Sequence, residues 1–220
     1  MKPELRLTAD GSNTFFISEL DEHYHSVHGA RQESEHVFIA AGLNNRTEDV
    51  LSILEIGFGT GLNALLTALE VQKSRRTVYY TGLEKYPLHH ALIAQLNYVE
   101  QSENTLASKV FSEIHNASWE ALMPITAGFN LKKSTQDCLD FFAVDEFHLI
   151  YYDSFAPSAQ PELWTTQVFK QMYTALKPGG TLVTYCAKGQ VKRNMKEAGF
   201  LIEALPGPPG KREMTRARKG

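Results

Sequence analysis

At 220 residues, with 43% hydrophobic and 21% charged side chains, the chain suits one well-buried globular domain and is too short for two full-sized ones. No apolar run approaches the roughly 18 residues of a membrane span, and the opening MKPELRLTAD lacks the apolar stretch of a secretory signal. A net charge of −3 argues against a generally nucleic-acid-binding surface, and the two cysteines, Cys138 and Cys186, form no C-x-x-C pair. A reduced, cytoplasmic setting is therefore expected, with neither zinc nor a disulfide framework.

Residues 1–50 read as an amino-terminal extension. Short strands at 5–8 and 14–18 flank the turn signal Asp10-Gly11-Ser12-Asn13, which predicts a hairpin, and a short helix is expected over 33–41. The core, 51–220, then alternates strand and helix. Strands are predicted at 51–56, 77–83, 129–133, 147–152 and 181–185, with helices at 62–69, 87–99, 105–115, 162–176 and 191–198. Lys177-Pro178-Gly179-Gly180 reads as a helix stop and turn. Two closing strands, 200–205 and 213–217, flank the stiff turn Pro206-Gly207-Pro208-Pro209-Gly210. This alternation predicts an α/β fold, a mostly parallel sheet with helices on both faces and an antiparallel last edge. Ligands of such sheets sit at the carboxyl ends of the strands, where Glu55, Glu84, Asp137 and Asp153 all fall.

The most informative stretch is LSILEIGFGTGLN, residues 51–63. An apolar strand runs into Gly57, Gly59 and Gly61, with Phe58 and Thr60 between them, and then into a helix. A dinucleotide fingerprint needs a third glycine at position 62, where Leu62 stands. The acid-x-G-x-G-x-G form instead resembles the first motif of the class I (Rossmann-like) S-adenosylmethionine (SAM) methyltransferases. SAM needs close backbone approach, an acid for its ribose hydroxyls and a slot for adenine. The glycines provide the first, Glu84 the second, and Asp137-Cys138 the acid-plus-small-residue contact for the third.

Asp153-Ser154-Phe155-Ala156-Pro157 is the second informative motif, an acid ending an apolar strand before a proline-stiffened loop. In methyl transfer to an amine, positive charge leaves the sulfonium and develops on nitrogen. A fixed carboxylate can accept the amine N–H, aim its lone pair and stabilise that charge. The histidine-rich run His23-Tyr24-His25-Ser26-Val27-His28 lacks a Cys or Asp in ligand register, so it reads as a loop over the SAM pocket and no metal is expected.

DSFAPSAQPELWT (153–165), LEIGFGTGLN and GPPGKREMTRA together resemble the methyltransferase domain of the bacterial bifunctional enzyme that finishes 5-methylaminomethyl-2-thiouridine at the tRNA wobble position. The resemblance runs from about residue 25 to 217. It implies methylation of 5-aminomethyl-(2-thio)uridine in the anticodon loop. Asp153 would be the catalytic carboxylate, with Glu55, Gly57, Gly59, Gly61 and Glu84 holding SAM and Asn63 closing that motif. Phe155, Pro157 and Trp164 would shape the uridine pocket. Family members often carry an FAD-dependent oxidase domain; no second glycine fingerprint occurs here, so a separate oxidase is the expected supplier of the aminomethyl substrate.

Charge is unevenly spread. Between Lys188 and Lys219 nine basic residues face only three acidic ones, which predicts a phosphate-attracting patch around Lys192, Arg193, Lys211 and Arg212. Two other readings share the fold. A spermidine synthase-like aminopropyltransferase also aims a strand-end aspartate at an amine, but its loop would carry further acids where Ser154-Phe155-Ala156-Pro157 has none. A non-catalytic SAM-fold tRNA-binding subunit would not need Asp153 beside an intact glycine loop.

Overall fold

The computed structural model describes residues 3–220. The expected hairpin is present as β1 (Pro3–Leu7) and β2 (Asn13–Ile17), joined by β3 (Glu22–His23) in a three-stranded antiparallel sheet. Asp10 closes the turn by accepting from the Ser12 amide at 3.0 Å. Helix α1 (Ala30–Ser34) passes into a π-helical turn, Glu35–Ala40, whose Val37, Phe38 and Ile39 are buried.

The main sheet is built from β4 (Val50–Ile56), β5 (Thr77–Leu83), β6 (Leu122–Thr126), β7 (Phe129–Ser134), β8 (Phe147–Tyr152), β9 (Leu176–Thr184), β10 (Leu201–Pro206) and β11 (Glu213–Arg218). Its order is β10-β11-β9-β8-β4-β5-β7-β6. The five central strands, β9-β8-β4-β5-β7, run parallel, and both margins are antiparallel. Alternate residues of β4 feed two cores. Leu51 and Ile53 pack with helices α2 (Leu62–Val71) and α4 (Ala107–Asn116), while Leu54 and Ile56 pack with α5 (Thr166–Ala175) and α6 (Gly189–Glu197). Burial on both faces is why β4 and β8 are nearly continuous apolar runs. No helix among the described residues is long and apolar enough to cross a membrane.

Four expectations change. The helix over 87–99 shrinks to α3 (His90–Ile93). Tertiary bonds replace helical ones there: Asn97 accepts from the Asn13 amide at 2.7 Å and donates to the Gly11 carbonyl at 2.8 Å. The helix expected from 162 is instead a 3₁₀ turn, Pro161–Trp164, followed by α5, because extended Thr165 interrupts it and its hydroxyl caps the Val168 amide. The turn at 177–180 is absorbed into β9 as an irregularity between Phe147 and Leu149 of its neighbour, with Gly179 at φ 73°. Strand β6 was not expected. Its Pro124 lies on a margin, where a missing amide is tolerated.

Chain order places the topological switch between β4 and β8. From β4 the sheet grows through β5 and β7 on one side, then through β8 and β9 on the other. A crevice opens outside the carboxyl ends of these strands.

Candidate active site

Gly57 leaves β4 at φ 87°, and a Cβ there would lie 2.6 Å from the Asp153 carbonyl oxygen. Only glycine lets the ends of β4 and β8 meet this closely. The Gly57 and Phe58 amides both donate to the Leu83 carbonyl, at 3.1 and 3.0 Å, which ties the loop to the end of β5. Beside it lies a cavity of about 570 Å³, in the size range of small-molecule sites.

Of the residues expected to hold cofactor, Gly57, Gly59, Glu84, Asp137 and Cys138 line this cavity. Glu84 accepts from the Gly59 amide through Oε2 and the Tyr86 amide through Oε1, both at 2.9 Å. Each carboxylate oxygen keeps a lone pair for a ribose hydroxyl. Burial raises the Glu84 carboxyl above its ordinary range, while the two amide bonds oppose that rise. Asp137 caps the 3₁₀ turn Cys138–Asp140 and pairs with Lys85 at 2.6 Å, which holds its carboxyl below the usual range. Both cysteines are free and buried.

The remaining loop residues turn inward. Phe58 packs on Gly82, His115 and Trp119. Thr60 is buried and accepts from the Tyr98 hydroxyl at 3.2 Å. Gly61 starts α2 in the left-handed conformation. Glu55, 1% exposed, does not reach the cavity, contrary to the direct SAM contact expected of it. Asn63 instead links it to the site: its Nδ2 donates to Glu55 Oε1 and to Asp153 Oδ2, each at 2.8 Å. Burial keeps the Glu55 carboxyl protonated well above the ordinary range.

Asp153 lines the cavity at the end of β8. Burial first, and then Glu33, push its carboxyl up to about 7, against the Asn63 hydrogen bond and the Lys211 charge. Phe155 lines the same wall. Trp164 does not: it is buried against Tyr152, Phe169 and Tyr185, and its Nε1 donates to the Phe155 carbonyl at 2.9 Å. It supports the loop from behind. Pro157 also lies outside the cavity lining.

The basic patch divides. Lys192 is paired with Glu213 at 2.7 Å, and Lys211 with Glu33 while lying 4.0 Å from the centre of the Tyr185 ring. Among the described residues Arg193 bonds only the neutral Gln190, and Arg212 is exposed. The histidine run does not converge. His23 packs at a tilt against Phe16, His25 lies against Thr14 and Thr60, and His28 packs at Gly210. Burial holds the His25 imidazole neutral, down to about 4.

Sequence reading missed Tyr24 as a wall residue. Its ring packs edge-on against Phe155, with centroids 5.0 Å apart, and touches the Gly59 position. The histidine-rich run was placed over the pocket, yet nothing in its pattern singled out the tyrosine.

A cradle at Gly57 that a Cβ would fill, Glu84 with free lone pairs and a slot ending at Asp137 fit SAM. Fold and site together match the class I, Rossmann-like fold of SAM-dependent methyltransferases. A family model described as S-adenosyl-L-methionine-dependent methyltransferase matches residues 119–220. The tRNA 5-methylaminomethyl-2-thiouridine biosynthesis bifunctional proteins MnmC of Ralstonia nicotianae and Pseudoalteromonas atlantica are 34% and 30% identical to it over 96% of the chain. The chain spans about a third of their length, 33% and 32%. The crystal structure of MNMC2 from Aquifex aeolicus shares the fold, with a TM-score of 0.79 over 98% of this chain and 69% of that one, at 21% identity. The chain is thus similar to SAM-dependent methyltransferases and, among them, to about a third of the length of the MnmC proteins.

Proposed function

We propose that this protein transfers a methyl group from SAM to the exocyclic amine of 5-aminomethyl-(2-thio)uridine at the tRNA wobble position. The product is 5-methylaminomethyl-(2-thio)uridine. The observation that carries this reading is Asp153: a cavity-lining carboxylate whose Oδ2 is tied to Asn63 and whose Oδ1 has no hydrogen-bond partner among the described residues. Such a group can accept an amine N–H while positive charge develops on the nitrogen, and can take the proton afterwards.

SAM, when bound, supplies an electrophilic methyl on a sulfonium. In this reading Glu84 holds the ribose hydroxyls, Asp137 and Cys138 face the adenine, and the Gly57–Gly59 turn approaches the methionine part. Tyr24 and Phe155 form the apolar wall against which the flipped uridine rests. Residues 1–50 act as an extension packed on the 51–220 core, contributing Tyr24 and Glu33. Arg193, bonded to neutral Gln190, and exposed Arg212 take the anticodon-loop phosphates, while Lys192 and Lys211 are held by Glu213 and Glu33. A separate FAD-dependent oxidase that removes a carboxymethyl group would supply the substrate amine, consistent with relatives named as bifunctional. This reading places the protein in the cytoplasm.

Incubation with SAM and tRNA bearing 5-aminomethyl-2-thiouridine, followed by nucleoside mass analysis, tests it. The expected product gains one methyl on the side-chain amine. An unmodified nucleoside, or methylation elsewhere in the tRNA, would overturn the assignment.

A further inference from the structure

Asn63 stands eight residues from Glu55 and ninety from Asp153 along the chain, yet one side-chain nitrogen meets both. The residue is 2% exposed and absent from the cavity lining, so it has no route to a bound ligand except through its neighbours. Both protons of Nδ2 are used, one on each acid. Among the described residues Asn63 Oδ1 and Glu55 Oε2 have no partner within hydrogen-bond geometry, and the Tyr80 hydroxyl approaches Glu55 from β5. The Asp153 backbone is fixed separately, its amide donating to the Ile56 carbonyl at 2.9 Å.

We propose that Asn63 is a positioning residue for methyl transfer: anchored on buried Glu55, it holds Asp153 Oδ2 so that Oδ1 is the oxygen presented to the substrate amine. This rests on the role given to Asp153 above and replaces the direct cofactor contact expected of Asn63. An uncharged double donor suits the task. It orients a carboxylate and favours its ionised form without supplying a cation that would repel the incoming amine and the sulfonium. The charged and titratable groups around Asp153 are Glu33 from α1, Glu55 from β4, Tyr80 from β5, Tyr185 after β9 and Lys211 before β11. Glu33 disfavours ionisation and Lys211 favours it. Among the described residues Asn63 is the one hydrogen-bond donor that touches the carboxylate directly.

The test uses Asn63→Ala and the milder Asn63→Ser, each followed by three readings. The first is the carboxyl titration of Asp153 in the free protein by carbon NMR, its resonance identified by loss in Asp153→Asn. Its midpoint should move to higher pH in both variants, further in the alanine. The second is kcat/KM against pH with the aminomethyl-uridine tRNA. Turnover at pH 7 should fall about ten- to hundredfold, the cost of a misaimed reacting group, and part of it should return as pH rises. The third is calorimetric SAM affinity, expected to stay within about threefold. An unmoved Asp153 titration in the serine variant would overturn the proposal, even if the alanine protein failed to fold. A tenfold weaker SAM affinity with an unchanged pH profile would also overturn it, making Asn63 a cofactor ligand. If the wild-type protein leaves the tRNA unmethylated while the titration still responds to Asn63, the substrate reading falls and the Asn63–Asp153 linkage stands.

Discussion

Two aspartates end neighbouring parts of one sheet and line the same cavity, yet their chemistry diverges. Asp153 follows β8, forms no ion pair among the described residues and is pushed up to about 7, chiefly by burial and against the more distant Lys211 charge. Asp137 follows β7 and is pulled below its usual range by Lys85 and by the Leu139 amide it caps. A carboxylate at a strand end is thus not one kind of group. Where burial outweighs any nearby positive charge, it sits at the edge of ionisation, ready to take an N–H or a proton. Where a lysine answers it at the solvated rim, it is a fixed anion suited to orienting a ligand.

The comparison breaks most readily at Asp153. Asp153→Asn should lower single-turnover methyl transfer about 10²–10³-fold while SAM affinity changes little, since the amide cannot stabilise a developing ammonium. The pH signs follow. Activity needs the ionised form, so the acid limb of kcat/KM should fall near pH 7 in the free enzyme. Stability runs the other way. Because the folded group holds its proton to higher pH than the unfolded one, raising pH from about 4 to 7 destabilises the wild type through this residue. The Tm advantage of Asp153→Asn should therefore grow across that window and level off above it. A rate within a few-fold of wild type would reduce Asp153 to scaffold.

Gly57→Ala should break the same end through the backbone. Its positive φ alone costs an alanine about 1–3 kcal/mol, and the new Cβ would press on the Asp153 carbonyl. Urea unfolding should show at least that loss, with SAM binding much reduced. Unaltered stability would mean that the β4–β8 contact is looser than described. Glu84→Ala lies between the two aspartates in character, buried yet bonded to two amides. It should weaken SAM binding by about 2–4 kcal/mol, two charged hydrogen bonds less what water restores, and leave turnover largely intact at saturation. An unchanged dissociation constant would move the ribose contact elsewhere.

What could be read from sequence follows the same division. Strand 147–152 was legible because burial on both faces demands an apolar run and strand 77–83 because of its β-branched and aromatic residues, and the acids after them were legible because strand ends are defined by those runs. The glycine turn stood out because its backbone conformations exclude other residues. Local pattern failed where distant contacts decide. Residues 94–99 have helical spacing but spend their polar groups on the amino-terminal hairpin. Glu55 and Asn63 looked like cofactor ligands, because a motif records proximity to a site and says little about facing it. Lys211 looked like a phosphate contact, because its partner Glu33 lies 178 residues away in sequence. Trp164 looked like a pocket wall, because a large aromatic beside a loop carries no sign of which side it covers.

The smallest expected effect sharpens the Asp137 half of the comparison. Lys85 is half-exposed where its partner is mostly covered, so the pair is screened by solvent and weakened by salt. Removing the ammonium by Lys85→Ala releases Asp137 Oδ2 and lets that carboxyl rise toward its ordinary range. The capping bond from Oδ1 to the Leu139 amide stays, so the turn that carries Cys138 keeps its shape. The freed oxygen still presents an acceptor to an adenine amino group. The two consequences oppose each other, and SAM affinity should change by less than about threefold, with the difference shrinking further at high salt. Calorimetric titration at low and high ionic strength measures this. A tenfold loss that persists in salt would make Lys85 itself a cofactor contact. The acid limb of kcat/KM, set at the other end of the cavity, should not move. A shift in that limb would mean that the two aspartates titrate as one coupled system, and that their difference is not local after all.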